Sequence, residues 1–387
     1  MKQATTFFGT RFSTRFSARF STRFSTLLAL CLLHSPLAFA HKASDSFLYL
    51  DRDQSELRVD VALRDLALVL PLDANSDQKL SGAELRESRG RITQWTENGI
   101  TLNSLSGECR LSGQTWGISQ HSDGPYAAAL YALECPNGEL PETLNYTLLF
   151  KQDPLHRGLL SVTSGGEEFL NVLAPDKTTL ALAPEGHSSA LSVFGTFLYE
   201  GIFHLLIGLD HLLFLLVLML PATLKQTDNS ERRSLKKSLW QLTGVVTAFT
   251  GAHTITLILA SLNIVRLPIA WVEAVIALSI AVAALNVAWP ILGRKTWKLA
   301  FGFGLIHGFG FASVLGNLTS GLEQTALALA GFNLGVEVGQ IALLLVAFPI
   351  FYLWGRTAHY GRAVVPALLL VTGAISLYWV AERAMVL

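Results

Sequence analysis

The sequence predicts a membrane all-α bundle of about six transmembrane helices, preceded by a mainly β extracytoplasmic domain that carries an EF-hand-like loop. Three observations lead there. The 387 residues are 51% hydrophobic and only 15% charged, with a mean hydropathy of +0.41, whereas an ordinary soluble domain carries roughly 25% charged residues. Apolar stretches long enough to cross a bilayer recur from about residue 191 onward. Residues 41–190 instead hold short runs of period two between turn signals. A single soluble domain and a disordered chain are both excluded. Basic runs occur only in the leader and in short loops between apolar stretches, which excludes nucleic acid as a partner.

The formal charge is zero, but it is unevenly spread. Residues 1–40 hold five basic residues and no acidic one; 41–190 hold 12 basic against 21 acidic; 191–387 hold 12 basic against 8 acidic. The first segment reads as a secretory signal peptide. Arg11, Arg15, Arg19 and Arg23 form a basic n-region, Leu27 to Leu33 an apolar core, and Ala38-Phe39-Ala40 an A-x-A cleavage site. Cleavage there leaves Cys109 and Cys135 as the mature cysteines, and an oxidising compartment predicts that they pair.

The acidic segment, 41–190, reads as strands. Leu57, Val59, Val61 and Leu63 alternate with Arg58, Asp60, Ala62 and Arg64. Further strands are expected near 47–52, 100–105, 126–134, 143–150, 159–163 and 168–174, separated by Gly107, Gly113, Pro136-Asn137-Gly138 and Gly165-Gly166. The expected result is a small sandwich-like β domain with one helix. Its sharpest motif is the stretch 73–84, which matches the calcium loop D-x-[DN]-x-[DN]-G-x5-E. Asp73, Asn75, Asp77, Ser81 and Glu84 supply side-chain oxygens, and Lys79 supplies a backbone carbonyl. Glu84 stands where a bidentate carboxylate closes the loop around Ca²⁺. Gln78 departs from the usual glycine. Asp153-Pro154-Leu155-His156-Arg157 reads as a tight polar turn.

The segment 191–387 divides into spans at about 193–221, 240–262, 269–291, 299–316, 325–354 and 364–382. The loops support six crossings. Lys225, Arg232, Arg233, Lys236, Lys237, Arg294, Lys295, Lys298, Arg356 and Arg362 fall on one side, against Arg266 and Arg383 on the other. By the positive-inside rule this places 41–190 and the C-terminus outside. The expected location is a bacterial inner membrane with a periplasmic or extracellular domain.

Ionisable side chains inside spans are costly, so each is a candidate for function. Taken as one continuous helix, the first span puts Glu200, His204, Gly208 and His211 on one stripe, with the two imidazoles about 10 Å apart along the axis. Asp210 lies beside them. His253 is expected on the second span, Glu273 on the third and His307 on the fourth, with Asn333, Glu337 and Gln340 along one face of the fifth. Imidazoles and carboxylates on several helices suit a borderline divalent ion such as Ni²⁺, Co²⁺ or Zn²⁺. The expected ligands are His204, Asp210, His211, His253, His307 and Glu337. Glu200, Glu273, Asn333 and Gln340 are expected as polar support.

These motifs carry a resemblance. Phe203-His204, Gly208, Asp210-His211-Leu212-Leu213-Phe214, Phe249-Thr250-Gly251-Ala252-His253-Thr254, Phe303 through Ala312, and Phe332-Asn333 with Gly335-Val336-Glu337 and Gly339-Gln340 are similar to the HupE/UreJ family. The resemblance covers the whole membrane part. The start of the mature chain, Ala40 to Ser46, resembles the longer members with an outer domain. It implies a nickel or cobalt permease associated with hydrogenase and urease maturation. The chain departs from the short permeases at Leu205, where they carry proline, and in having the domain 41–190.

The function expected from residues and resemblance together is transport of a divalent transition metal through the bilayer. No P-loop is present, so coupling would be passive or proton-linked. Two alternatives use the same residues: an intramembrane zinc hydrolase with Glu337 or Glu273 as general base, and a non-transporting sensor or assembly factor.

Overall fold

A computed structural model describes residues 44–77, 79–121, 124–182, 190–224, 234–262, 264–265, 267–293, 295–316, 322–357 and 359–384. The expected secretory leader and Gln78 lie outside the described residues, as do the basic residues 225, 232, 233, 266 and 294 of the loops.

Among the described residues, the N-terminal domain is built on nine strands. They are β1 (Asp45–Asp51), β2 (Glu56–Ala62), β3 (Ile100–Ser104), β4 (Gly107–His121), β5 (Gly124–Glu134), β6 (Thr143–Tyr146), β7 (Arg157–Ser164), β8 (Glu167–Leu173) and β9 (Thr179–Ala181). A single helical turn, α1 (Leu63–Leu66), follows β2, and α2 (Gly82–Gly99) precedes β3. The strands form one sheet in the order β8-β7-β1-β2-β5-β4-β3-β6-β9. Only β1 and β7 run parallel. The expected sandwich is therefore a single sheet curled around one core. Leu48 and Leu50 of β1, Leu57, Val59 and Val61 of β2, Leu102 of β3, Leu144 of β6 and Leu160 of β7 all meet inside it with Leu85 and Ile92 of α2. One sheet suffices because curling brings distant strands together: the Arg52 Nε donates to the Pro141 carbonyl at 3.0 Å.

Two strands lay outside the sequence reading. β4 was hidden by its own glycines: Gly113 reads as a turn but sits at a register shift between Gly113 and Thr115, inside a strand of 15 residues. β9 has only three residues. Cys109 on β4 and Cys135 after β5 form the expected disulfide.

The helical part comprises α3 (Ala190–Ile207), α4 (Leu209–Thr223), α5 (Leu235–Ser261), α6 (Ile269–Ala288), α7 (Thr296–Gly316), α8 (Leu322–Trp354) and α9 (Val365–Ala384), the last preceded by a π-helical turn at Tyr360–Val364. Among the described residues, five stretches are long and apolar enough to cross a membrane: Ala190–Ile207, Leu235–Ser261, Ile269–Ala288, Gln324–Trp354 and Tyr360–Ala384. α4 is apolar but shorter. The expected span 299–316 falls within α7, the side chains of 311–316 lying outside the description. Leu345, Val346, Ile350 and Leu353 of α8 and Leu370 and Leu377 of α9 turn outward, apolar surface of the kind a bilayer covers. Between helices, small residues permit the contact. A Cβ on Gly335 of α8 would stand 2.1 Å from the Leu198 carbonyl oxygen of α3.

The first span is not one helix. It breaks at Gly208, whose ψ of 93° leaves the helical region. The His211 N–H then bonds to the Asp210 Oδ1 at 2.8 Å rather than to the preceding turn. This corrects the continuous stripe and its spacing of about 10 Å.

Sheet and helices belong to one compact unit. The outer face of the sheet supplies Phe47, Tyr126, Leu159, Leu170 and Val172, which pack on Val193 and Phe197 of α3 and on Leu329 and Phe332 of α8. This explains why β1 is buried on both faces, with Phe47 turned to the helices and Leu48 to the domain core. The turn at 153–157 is pinned here. Ser44 donates its N–H and hydroxyl to Asp153 Oδ2 at 3.0 and 2.6 Å. The His156 ring bridges Ser44 Oγ at 2.7 Å and Tyr146 OH at 2.6 Å. Burial pushes that imidazole down to about 3, the nearby Asp153 only partly offsetting it, so His156 is a neutral structural link at ordinary pH.

Candidate metal site

The break at Gly208 places the last turn of α3 and the first turn of α4 side by side inside the helical part. His204 ends one, and Asp210 and His211 begin the other. The two imidazole centroids are therefore only 5.0 Å apart. α5 brings His253 to within 6.4 Å of the His211 ring, and α7 brings His307 to within 5.3 Å. Phe214, Phe249 and Phe332 wall this group: Phe214 and Phe249 lie 5.4 and 5.3 Å from His307, and Phe332 lies 5.3 Å from His204. His211, His253 and His307 are at most 5% exposed.

Each of these three rings is held by one hydrogen bond, which fixes its tautomer. His211 Nδ1–H donates to Asp210 Oδ1 at 2.9 Å. His253 Nδ1–H donates to Asn333 Oδ1 at 3.0 Å; the Asn333 amide in turn donates to the Leu329 carbonyl at 2.9 Å. The Ser279 hydroxyl proton goes to the Ile276 carbonyl at 2.7 Å, so Ser279 Oγ accepts from His307 Nε2–H at 3.2 Å. What is left on each ring is a lone pair: His211 Nε2, His253 Nε2 and His307 Nδ1 are buried and have no hydrogen-bond partner among the described residues. Partnerless buried nitrogens cost free energy. The three rings lie near one another and each is oriented from behind by a polar neighbour, as metal ligands commonly are; among the described residues the metal-sized group takes in His211 and His307 with Asp210 and leaves out His253.

Ligand atoms of Asp210, His211 and His307 lie within 4.8 Å of one another. Bonds of about 2 Å to a single ion draw ligand atoms closer than that. The trio is thus wider than a closed structural site, and an ion would pull it inward or bind by a subset at a time. Imidazoles with one carboxylate suit a borderline divalent transition metal.

The remaining expected residues divide. Glu337 of α8 accepts from Thr247 Oγ1 at 2.7 Å, and Gln340 accepts from Thr250 Oγ1 at 3.1 Å. Both line the α5–α8 contact on the α8 turns that follow Asn333. Glu273 does not support the cluster: it pairs with Arg383 of α9, whose Nη1 donates to the Glu273 carbonyl at 2.8 Å. Glu200 does not continue a histidine stripe either: it faces Arg157 of the β domain. Ser279 was not foreseen, because a serine in an apolar helix ordinarily bonds only back to its own helix; Ser279 does that and also orients His307.

In the loop 73–84, Glu84 serves as a helix cap. Its Oε2 accepts from the Ser81 N–H and hydroxyl at 2.8 and 2.7 Å, and its Oε1 from the Ala74 N–H at 3.0 Å. Those Ser81 bonds hold its carboxyl below the usual carboxylate range. Asn75 Oδ1 accepts from the Asp77 N–H, and Asp77 Oδ1 from the Lys79 N–H. Among the described residues of this turn, Ser76 is left-handed, with φ 59°.

Compared with known proteins, residues 182–383 match the family described as HupE / UreJ protein, a stretch that runs from just before α3 nearly to the end of α9. No curated protein matches the chain.

Proposed function

The chain belongs to the HupE/UreJ family, a nickel- and cobalt-related family of membrane proteins, and from that premise we propose that it is a permease for a divalent transition-metal ion. The observation that carries this reading is the set of three oriented, partnerless imidazole nitrogens beside the α3–α4 break. A helix interrupted inside a membrane domain is a recurring way to build a transport site, since the free helix ends and unwound backbone face the cargo. His204, Asp210, His211, His253 and His307 form the central station. Glu337 provides a further carboxylate on α8 beyond the Asn333 that orients His253. A loose trio favours passage over storage, because an ion gripped by a closed tetrahedral shell leaves slowly. The cluster uses nitrogen and oxygen donors, which admits Ni²⁺, Co²⁺ and Zn²⁺.

The β domain is placed outside a bacterial inner membrane in this reading. The basic residues Lys236, Lys237, Lys298, Arg356 and Arg362 then face the cytoplasm. Exposed Trp240, Trp289, Trp297 and Trp354 lie at the same helix ends, as residues of an interfacial belt do. The loop 73–84 is proposed to take Ca²⁺ through the same oxygens that now cap α2, Glu84 exchanging its N–H partners for the ion.

The test is uptake by the purified protein in proteoliposomes. Wild-type protein is expected to admit Ni²⁺, Co²⁺ or Zn²⁺ down a gradient faster than empty liposomes do, and to exclude Na⁺ and K⁺. Uptake indistinguishable from empty liposomes for all three divalent ions contradicts the proposal.

A further inference from the structure

Arg157, the first residue of β7, sets a formal charge of the β domain directly against a charged residue of the membrane helices. Its Nε lies 3.3 Å from Glu200 Oε2, and its guanidinium carbon lies 4.4 Å over the Phe203 ring. Both partners are largely buried, at 10% and 16% side-chain exposure. Nη1 is anchored from behind by the carbonyls of Leu155 and His156 at 3.2 and 3.0 Å. His156 itself is locked between Ser44 and Tyr146. The guanidinium therefore stands on a rigid base, and its carboxylate partner sits on a helix that leads to the histidines. Glu200 is one helical turn before His204, and the His204 ring is 5.0 Å from that of His211. Asp176 and Lys177 are the other charges that act on Glu200.

We propose that Glu200 is the outermost cation-binding carboxylate of the path and that Arg157 is its built-in competitor, a guanidinium that a divalent cation must displace to reach His204. This rests on the permease reading. The physical basis is a contest for one carboxylate between a fixed single charge and a mobile double one. A divalent ion gains about twice the Coulomb energy of a monovalent ion at the same distance. A monovalent ion gains no more than the guanidinium already does, and it lacks the guanidinium's stacking on Phe203. The pair thus selects for charge at the mouth, ahead of any selection by the imidazoles. It also gives the outer domain a role in transport that docking alone does not require.

The two halves of the pair then have opposite effects, and this separates the proposal from a merely architectural ion pair. Uptake of Co²⁺ into proteoliposomes is measured as a function of concentration for Arg157→Gln, Glu200→Gln and the double variant. Arg157→Gln leaves the carboxylate free and lowers KM about fivefold, whereas Glu200→Gln raises it by a similar factor, with saturating rates within about twofold of wild type. The double variant follows Glu200→Gln. Arg157→Gln also admits more Na⁺. If the pair only holds the domain in place, both single variants shift the same parameter in the same direction, and that result overturns the proposal, as does an unchanged KM in both. Should Arg157→Gln fail to insert, the near-isosteric Glu200→Gln still decides, since an unaltered KM overturns it. A wild type that moves no ion overturns the permease reading and this one with it. A wild type that moves ions while these variants match it overturns this one alone.

Discussion

Replacing His211 by alanine is expected to lower divalent-metal uptake at least about a hundredfold while the protein still inserts and keeps its fold. His211 stands at the centre of the cluster: the rings of His204, His253 and His307 all lie within 6.4 Å of it. Its Nε2 is one of the three free lone pairs. Its one described hydrogen-bonding side chain is the adjacent Asp210, so alanine strands no distant partner. Loss of a neighbour that orients a ligand already costs about 10–100-fold in affinity, and loss of the ligand itself costs more. Asp210→Asn gives the intermediate case: the side chain keeps its shape but no longer anchors the Nδ1–H with a charge, and uptake falls about tenfold. Rates are read in proteoliposomes beside the elution profile in detergent. A His211→Ala protein that folds and transports like wild type removes the cluster from the path.

Gly308→Ala is expected to be as damaging, although it removes no chemical group. The added methyl on α7 would sit 2.1 Å from Thr256 Oγ1 and 2.3 Å from the His253 carbonyl oxygen of α5. The hydroxyl has some freedom to turn away, but the backbone carbonyl has none. α7 must move off α5, and His307 moves with it, away from His253 and His211. Overpacking of this kind costs roughly 1–3 kcal/mol and more where backbone blocks it; here about 3 kcal/mol is expected, together with loss of uptake. Gly302, on the same helix, has nothing within 4 Å of an added Cβ. Gly302→Ala should therefore change stability by no more than about 0.5 kcal/mol and leave uptake intact. Thermal denaturation in detergent, read beside uptake, separates the two. Equal effects at both positions would mean that the α5–α7 contact is not the cause.

The sequence made some of this visible and hid the rest for physical reasons. The membrane helices are legible because backbone in a bilayer must satisfy itself, which forces long apolar runs. The strand from Glu56 to Ala62 is legible because Leu57, Val59 and Val61 point into one core. The cysteine pair is legible from count, since the sequence after residue 40 holds only Cys109 and Cys135. The Gly208 break is not, since glycine is common in membrane helices and a single one leaves a helical pattern unbroken. Recognising the break changes the chemistry: a continuous helix keeps His204 and His211 a helix turn or more apart, whereas the broken one sets them ring against ring. β4 is hidden because Gly113 mimics a turn inside a strand. The partners of Glu200 and Glu273, Arg157 and Arg383, are 43 and 110 residues away, and no local pattern announces such a pairing. Polar residues in spans stand out in the sequence, but the pattern alone does not separate those that gather around a centre from those that tie elements together.

The central claim is that His211, His253 and His307, with Asp210, offer ligands to a divalent transition metal. X-ray absorption on the purified protein loaded with Co²⁺ tests it most directly. The account predicts a bound ion whose nearest shell, at about 2.0–2.2 Å, is nitrogen and oxygen, with the outer-shell scattering of imidazole, and it predicts that this imidazole signal disappears in His211→Ala. A protein that retains no ion, or an oxygen-only shell that His211→Ala leaves unchanged, would contradict it.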